Sequence, residues 1–256
     1  MFGLTELKII DSHCHIEQEE FDDDREEVIF KARENGINII SSAITKDTWK
    51  KLLAISRRYD SVYASIGLDP VLTEFAQECI DMIHNASAEI VSIGEVGLDY
   101  YRERDHSQRE KQEKIFRQFI SISKELEIPI QVHSRSAGRA ALDVLKSSDA
   151  EAVHMHAFDG KASLARTASR DLGYYFSIPT SVVRSTQKQK LVKAIEIERL
   201  MLETDSPVLG PMRNERNEPG NVVVSLEETA RILRRDREEL REIILENTLR
   251  LYGKIR

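Results

Sequence analysis

Six side chains of the types that bind metal ions are spread over nearly the whole chain: His13, His15, Glu95, His133, His156 and Asp205. Each closes a short apolar, β-like run. The first run is Ile9-Ile10-Asp11-Ser12-His13-Cys14-His15. Side chains two residues apart on a strand point to the same side. His13 and His15 can therefore grip one cation together while Cys14 points away. Imidazole and carboxylate donors suit zinc, manganese or another divalent ion. Four imidazoles and two carboxylates exceed what one tetrahedral ion with an open position uses. Two ions bridged by a carboxylate use them better, and such a pair can activate a water and clamp the attacking and leaving oxygens.

Residues so far apart in sequence need a scaffold that returns repeatedly to one place. Strand-like runs fall at 8–15, 37–44, 62–68, 90–97, 129–134, 152–157, 174–178 and 200–204. They are short, apolar and often β-branched, as strands buried on both faces should be. Helical periodicity fills the intervals. Asp47 to Tyr59 spaces Trp49, Leu52, Leu53 and Ser56 on one face, and 106–127 aligns Ile115, Phe119, Ile122 and Leu126. Pro129 stops that helix. Gly36 and Gly173 read as helix C-terminal caps before the second and seventh strands. Eight β units, each followed by a helix, predict an α/β fold of the (β/α)8 TIM-barrel type, one domain over 1–256. The rival is an open doubly wound sheet, whose usual sign is a Gly-rich loop after the first strand. Here that position holds His-Cys-His. A polar loop (208–221) and two further helices (224–235 and 237–252) follow the last strand. In such a barrel the active site lies at the C-terminal strand ends, where all six candidates fall.

Composition narrows the field. Net charge is −7, from 44 acidic and 37 basic residues among 256. An acidic chain is no general nucleic-acid coat protein, although a local site with metal ions and a few arginines can handle nucleic acid. Two cysteines, Cys14 and Cys79, make no disulfide framework and point to a reducing compartment. Met1 to Lys8 lacks a basic start followed by a long apolar stretch, and no run approaches the ~18 apolar residues of a membrane span. The expectation is a soluble cytoplasmic protein with no membrane partner.

Several longer motifs share these positions. They are Asp11-Ser12-His13-Cys14-His15, Gly94-Glu95-Val96-Gly97-Leu98-Asp99-Tyr100 and Pro129-Ile130-Gln131-Val132-His133-Ser134-Arg135. His156-Ala157-Phe158-Asp159-Gly160, Glu203-Thr204-Asp205-Ser206-Pro207 and Arg216-Asn217-Glu218-Pro219 follow. Together and in this order they resemble the TatD family of metal-dependent deoxyribonucleases. The resemblance implies a barrel of the amidohydrolase kind and metal-dependent hydrolysis of DNA phosphodiesters. It also implies one ion on His13, His15 and Asp205, a second on His133 and His156, and Glu95 bridging. The ions would be Zn, Mn or Mg, and Asp205 would act as general base. Three departures stand out. Gly67-Leu68-Asp69-Pro70 replaces a usual Gly-x-His-Pro, which opens a metal or water contact for Asp69. Ser136 follows Arg135 where an acid is frequent, and reads as a helix N-cap. Asn214-Glu215 stands where a glycine often precedes Arg216.

Blander readings compete at other positions. His154 shares a face with His156, and spacing cannot choose between them; the family's His-x-Phe-x-Gly form selects His156, leaving His154 deeper in the barrel. Glu203 and Asp11 would lie one layer below Asp205 and His13. His84 and His106 read as surface residues, and Cys14 as a small buried hydrophobe. Arg135 is the substrate-binding candidate, because arginine forks suit phosphate oxygens. Arg102, Arg213 and Arg216 have acidic neighbours that would pair with them. Tyr100 and Tyr101 could stack a base, or simply pack their loop. A rival activity is amide or ester hydrolysis, including aminoacyl-tRNA deacylation, on the same two-ion centre. A third reading is an inactive metal-binding scaffold.

Overall fold

The eight expected strands form. The computed structural model describes residues 8–255, so the N-terminal stretch read above as no leader lies, except for Lys8, outside the described residues. The strands are β1 (Ile9–Cys14), β2 (Ile37–Ala43), β3 (Val62–Ile66), β4 (Ile90–Gly97), β5 (Ile130–His133), β6 (Val153–Met155), β7 (Tyr175–Pro179) and β8 (Leu200–Glu203). All neighbours pair in parallel, in chain order. Seven helices follow the first seven strands: α1 (Arg25–Glu34), α2 (Lys46–Arg58), α3 (Ala76–Ala86), α4 (His106–Leu126), α5 (Gly138–Ser147), α6 (Ala162–Asp171) and α7 (Thr186–Val192). After β8 come α8 (Val222–Leu233) and α9 (Arg237–Leu251).

The seam between β8 and β1 closes through a few strong bonds. Asp205 N–H donates to His13 O at 2.9 Å, and His15 N–H to Ser206 O at 2.8 Å. Ser12 Oγ donates to Leu202 O at 2.8 Å. The Asp11 carboxylate accepts from Thr204 N at 2.7 Å and Thr204 Oγ1 at 2.5 Å. The result is a nearly closed (β/α)8 barrel, not an open sheet. Asp11 corrects an expectation. It does not lie below His13, because the β1–β2 register slips between Asp11 and Cys14. A bulge adds one residue and re-aims the side chains after it. Asp11 therefore clamps the seam, while His13 and His15 both face inward.

Two apolar layers hold the barrel. The larger lies between strands and helices and includes Ile39, Ile66, Val96 and Val132 against Trp49, Phe116 and Leu145. Cys14 sits in this layer, fully buried. The smaller fills the bottom of the barrel with Ile10, Ile40, Val91, Tyr175 and Met201, plugged by Leu251, Tyr252 and Ile255 from the end of α9. Each such side chain contributes roughly 1.5–3 kcal/mol on burial. Apolar packing thus surrounds the upper interior, which is polar. On α4 the most buried residues are Phe116, Phe119 and Ile120, with Ile115 and Leu126 only partly covered. The buried stripe is centred one residue from the expected one, because the helix meets both strands and α5. Gly36 and Gly173 do cap helices, at φ of 74° and 70°.

Gly97 sets the approach of β4 to β5. Its φ is +143°, and a Cβ there would stand 2.2 Å from His133 O. Gly97→Ala is expected to cost about 1–3 kcal/mol and to displace His133. Thermal melts of metal-free protein would show the loss; an unchanged melting curve would refute this account.

Candidate metal centre

The strand ends bring most of the expected ligands together. His13 Nε2 lies 3.2 Å from Glu95 Oε2 and 3.6 Å from Asp205 Oδ1. His15 Nε2 lies 3.5 Å from the same Asp205 oxygen. His156 Nε2 approaches Glu95 Oε2 to 2.7 Å. Donor atoms of His13, His15 and Asp205 lie within 4.8 Å of one another, as do those of His13, Glu95 and His156. His133 belongs to neither triplet and reaches the cluster through Glu95, with Nδ1 3.5 Å from Oε1.

The fit to cations shows in atoms left without partners. His13 Nε2, Glu95 Oε2 and His133 Nδ1 are buried and accept or donate no hydrogen bond. Buried polar atoms are nearly always satisfied, so a convergent set of orphaned donors suits a divalent ion. The opposite ring atoms are held. His15 Nδ1 donates to Ser42 O at 2.7 Å, and His13 Nδ1 meets Gln131 Oε1 at 2.9 Å. Both rings thereby offer Nε2 lone pairs to the centre. His133 is held the other way round, with Nε2 3.2 Å from Asp99 Oδ2. Asp99 is itself fixed by Arg102, whose fork also grips Asp69 at 2.6 and 2.9 Å. Asp69 thus braces Arg102 and joins neither ligand triplet.

Without metal the cluster is strongly charged. Burial disfavours protonation of His15, but Asp205, Glu95 and Glu17 outweigh it and push it up to about 10. Burial opposes protonation of His133 too, yet Glu95 and Asp99 raise it to about 9. His156 is raised well above its ordinary value by Glu95, Glu203 and Asp205, again against burial. His13 is lowered, by burial and by His156. Burial would raise Glu95, but His156, His133 and His13 hold it well below the usual carboxylate range. Imidazoles must be neutral to bind a cation, so loading at pH 7–8 is expected to expel about three protons, one each from His15, His133 and His156. Calorimetry in buffers of different ionisation enthalpy would count them; no proton release would contradict the assignment. The sign for folding is opposite. His15 and His133 have folded values above the unfolded one, so their stabilisation of metal-free protein is complete below about pH 6.5. It is lost as pH rises through about 9 and 10.

The remaining expectations sort by contact. His154 is fully buried, with both ring nitrogens 2.6 Å from partners, Tyr252 Oη and Ser177 Oγ. It lies below His156, as expected. Glu203 likewise lies beneath Asp205, accepting from Ser177 Oγ and Ala157 N. Arg216 is committed to Asp24 and Glu218. Tyr100 packs its loop through Glu113 and Arg109. Arg135 is exposed and stacks on the Tyr101 ring, 4.0 Å from its centroid. His84 and His106 are on the surface. Ser136 is no N-cap: α5 starts at Gly138 with Ala137 before it. Ser136 instead takes φ 56° and donates its N–H to Asp159 Oδ2 at 2.7 Å, because the chain must turn before the helix can begin.

Sequence reasoning gave no role to several residues that build the site. Asn217 is buried and spans the loop after β8 with bonds to Thr180, Thr204 and Val208. Lys188 is buried and donates to Ala157 O and Phe158 O, pinning the turn after His156. Gln131 and Asp99 stood inside quoted motifs, and an inward polar residue on a buried strand was the available signal.

Comparison with known proteins agrees with this geometry. Residues 10–253 match the family described as TatD related DNase. The human protein named Deoxyribonuclease TATDN3 is 37% identical over 263 residues, covering 97% of this chain and 96% of its own. A Methanocaldococcus jannaschii protein named Uncharacterized metal-dependent hydrolase MJ1582 is 33% identical over 255 residues, covering 98% of this chain and 99% of its own. The crystal structure of YjjV, the TatD homolog of Escherichia coli, matches with a TM-score of 0.88 at 25% identity, over 96% of this chain and 98% of that one. With a family match over nearly its whole length, this chain belongs to the TatD family.

Proposed function

We propose that this protein is a divalent-metal-dependent deoxyribonuclease that hydrolyses DNA phosphodiesters, in the manner of a 3′-to-5′ exonuclease. The convergence of orphaned imidazole and carboxylate atoms at the barrel mouth carries the reading. Relatives named as deoxyribonucleases and metal-dependent hydrolases support it. One ion is assigned to His13, His15 and Asp205, a second to His133 and His156, with Glu95 between them. Ions held there supply water activation and neutralise charge developing on the phosphate. The chain's own side chains do the rest. Asp205 takes the proton of the attacking water. Arg135, backed by the Tyr101 ring, holds a phosphate oxygen of the substrate. Gln131 and Ser42 keep His13 and His15 facing the reacting atoms. No helix among the described residues is long and apolar enough to cross a membrane. Two buried free cysteines fit a cytoplasmic location.

Amide or ester hydrolysis is the second reading, because the same donor set polarises a carbonyl. Metal-loaded protein assayed on single-stranded DNA, an ester and amide panel, and aminoacyl-tRNA separates the two. The expected result is DNA cleavage that Glu95→Ala removes. Cleavage equal in both proteins would sink the nuclease assignment, and ester turnover sensitive to Glu95→Ala would favour the alternative.

A further inference from the structure

Beneath the candidate centre, a buried chain of hydrogen bonds runs from one side of the barrel to the other. Gln131 Oε1 lies 2.9 Å from His13 Nδ1 and accepts from Ser42 Oγ at 2.5 Å. Gln131 Nε2 donates to Ser12 O at 3.2 Å and to Tyr252 Oη at 2.8 Å. The Ser12 carbonyl can only accept, which fixes the orientation of the amide. Gln131 Oε1 therefore accepts, and His13 donates through Nδ1.

The sense of every later bond follows. A donor already points at Tyr252 Oη, so its single proton goes to His154 Nδ1, 2.6 Å away. His154 Nδ1 is thereby an acceptor, and its ring hydrogen sits on Nε2, donating to Ser177 Oγ at 2.6 Å. Ser177 must then donate onward, to Glu203 Oε2 at 2.5 Å. Glu203 faces His156 Nδ1 across 3.4 Å and also accepts Ala157 N–H at 2.8 Å. All donors point the same way, from His13 to Glu203, and Gln131, Tyr252, His154 and Glu203 have no accessible surface.

We propose that this one-way chain is a positioning device that couples the two sides of the centre, with the Tyr252 hydroxyl setting its direction. The proposal rests on the two-ion reading above. Removing that hydroxyl leaves His154 Nδ1 without a donor. The ring then keeps its hydrogen on Nε2 but is held only from the Ser177 side, so it can shift in the space the hydroxyl leaves and loosen its 2.6 Å contact with Ser177. Ser177 then no longer holds Glu203 in one place, and the 3.4 Å ion-pair contact of Glu203 with His156 Nδ1 is loosened. A hydroxyl delivered by the segment after α9 thereby orients a ligand just past the end of β6 that it does not touch.

The test adds Co2+ alone to metal-free protein, followed by its visible absorption and by calorimetry. Wild-type protein is expected to take up two ions. Tyr252→Phe and Ser177→Ala are each expected to weaken the weaker site about 10–100-fold. The double variant is expected to lose no more than the worse single, because both cuts break one chain. The rise in Tm on loading should shrink in step. Wild-type uptake of fewer than two ions overturns the two-ion reading and the coupling with it. Two ions bound with unchanged affinity in either variant overturns the chain alone, as do losses that simply add. Equal falls in Tm for loaded and metal-free protein, with uptake unchanged, would mean packing only. If Tyr252→Phe does not fold, Ser177→Ala carries the test from the other end.

Discussion

Glu95→Gln is expected to lower kcat/KM on single-stranded DNA by about 100–1,000-fold, the range seen when one charge-stabilising group leaves an active site. The substitution keeps the volume and removes the charge. Among the described residues Glu95 is the only carboxylate that contacts all three of His13, His133 and His156, at 3.2, 3.5 and 2.7 Å. The His13 and His156 rings stack with centroids 3.8 Å apart, so cations held by the two rings would repel each other and the Glu95 carboxylate would offset that charge. Metal content should therefore fall along with rate, from two ions toward one. Elemental analysis of dialysed protein beside the kinetic assay checks both. Full metal content with full turnover would remove Glu95 from the bridging position.

Asp205→Asn is expected to cost about 100–10,000-fold, the span of general acid–base contributions. Its Oδ1 stands 3.6 Å from His13 and 3.5 Å from His15, at the first of the two ligand triplets. The strand has just ended, and Asp205 takes a φ of 55° while its N–H bonds to His13 O at 2.9 Å. That turn aims the carboxylate inward over β1. Asparagine can still offer one oxygen to an ion but cannot take a proton. A variant that keeps its metal, loses rate and loses the acidic limb of the pH–rate profile fits the base role. Equal turnover with both ions bound would refute it.

The two replacements probe different parts of one arrangement, and the arrangement was unevenly visible in the chain. The alternation on β1 was readable because a strand has a period of two. It held at His13, Cys14 and His15, and failed at Asp11, where a bulge resets the phase. Bulges arise from pairing with a neighbour, which local residue types do not encode. His154 and His156 looked alike by spacing. What separates them is depth: His154 is spent on Tyr252 and Ser177, while His156 reaches Glu95. Asp69 could be noticed as a departure from the family pattern, but its partner Arg102 is 33 residues away, and only the fold joins them.

Period, strand ends and residue type were enough to name five of the six metal-type side chains and the barrel, because both depend on local pattern repeated in order, whereas His156 was set apart from His154 only by the resemblance to the family motif. Which ring nitrogen faces the centre, where His133 stands relative to the triplets, and how Tyr252 comes to lie under His13 depended on the closed barrel. Those features are made by pairs of residues such as His13 with Gln131 and Gln131 with Tyr252, 118 and 121 apart, meeting in a dry interior. There every polar atom must find a partner, and the partners are chosen by three-dimensional proximity, which residue order alone does not specify.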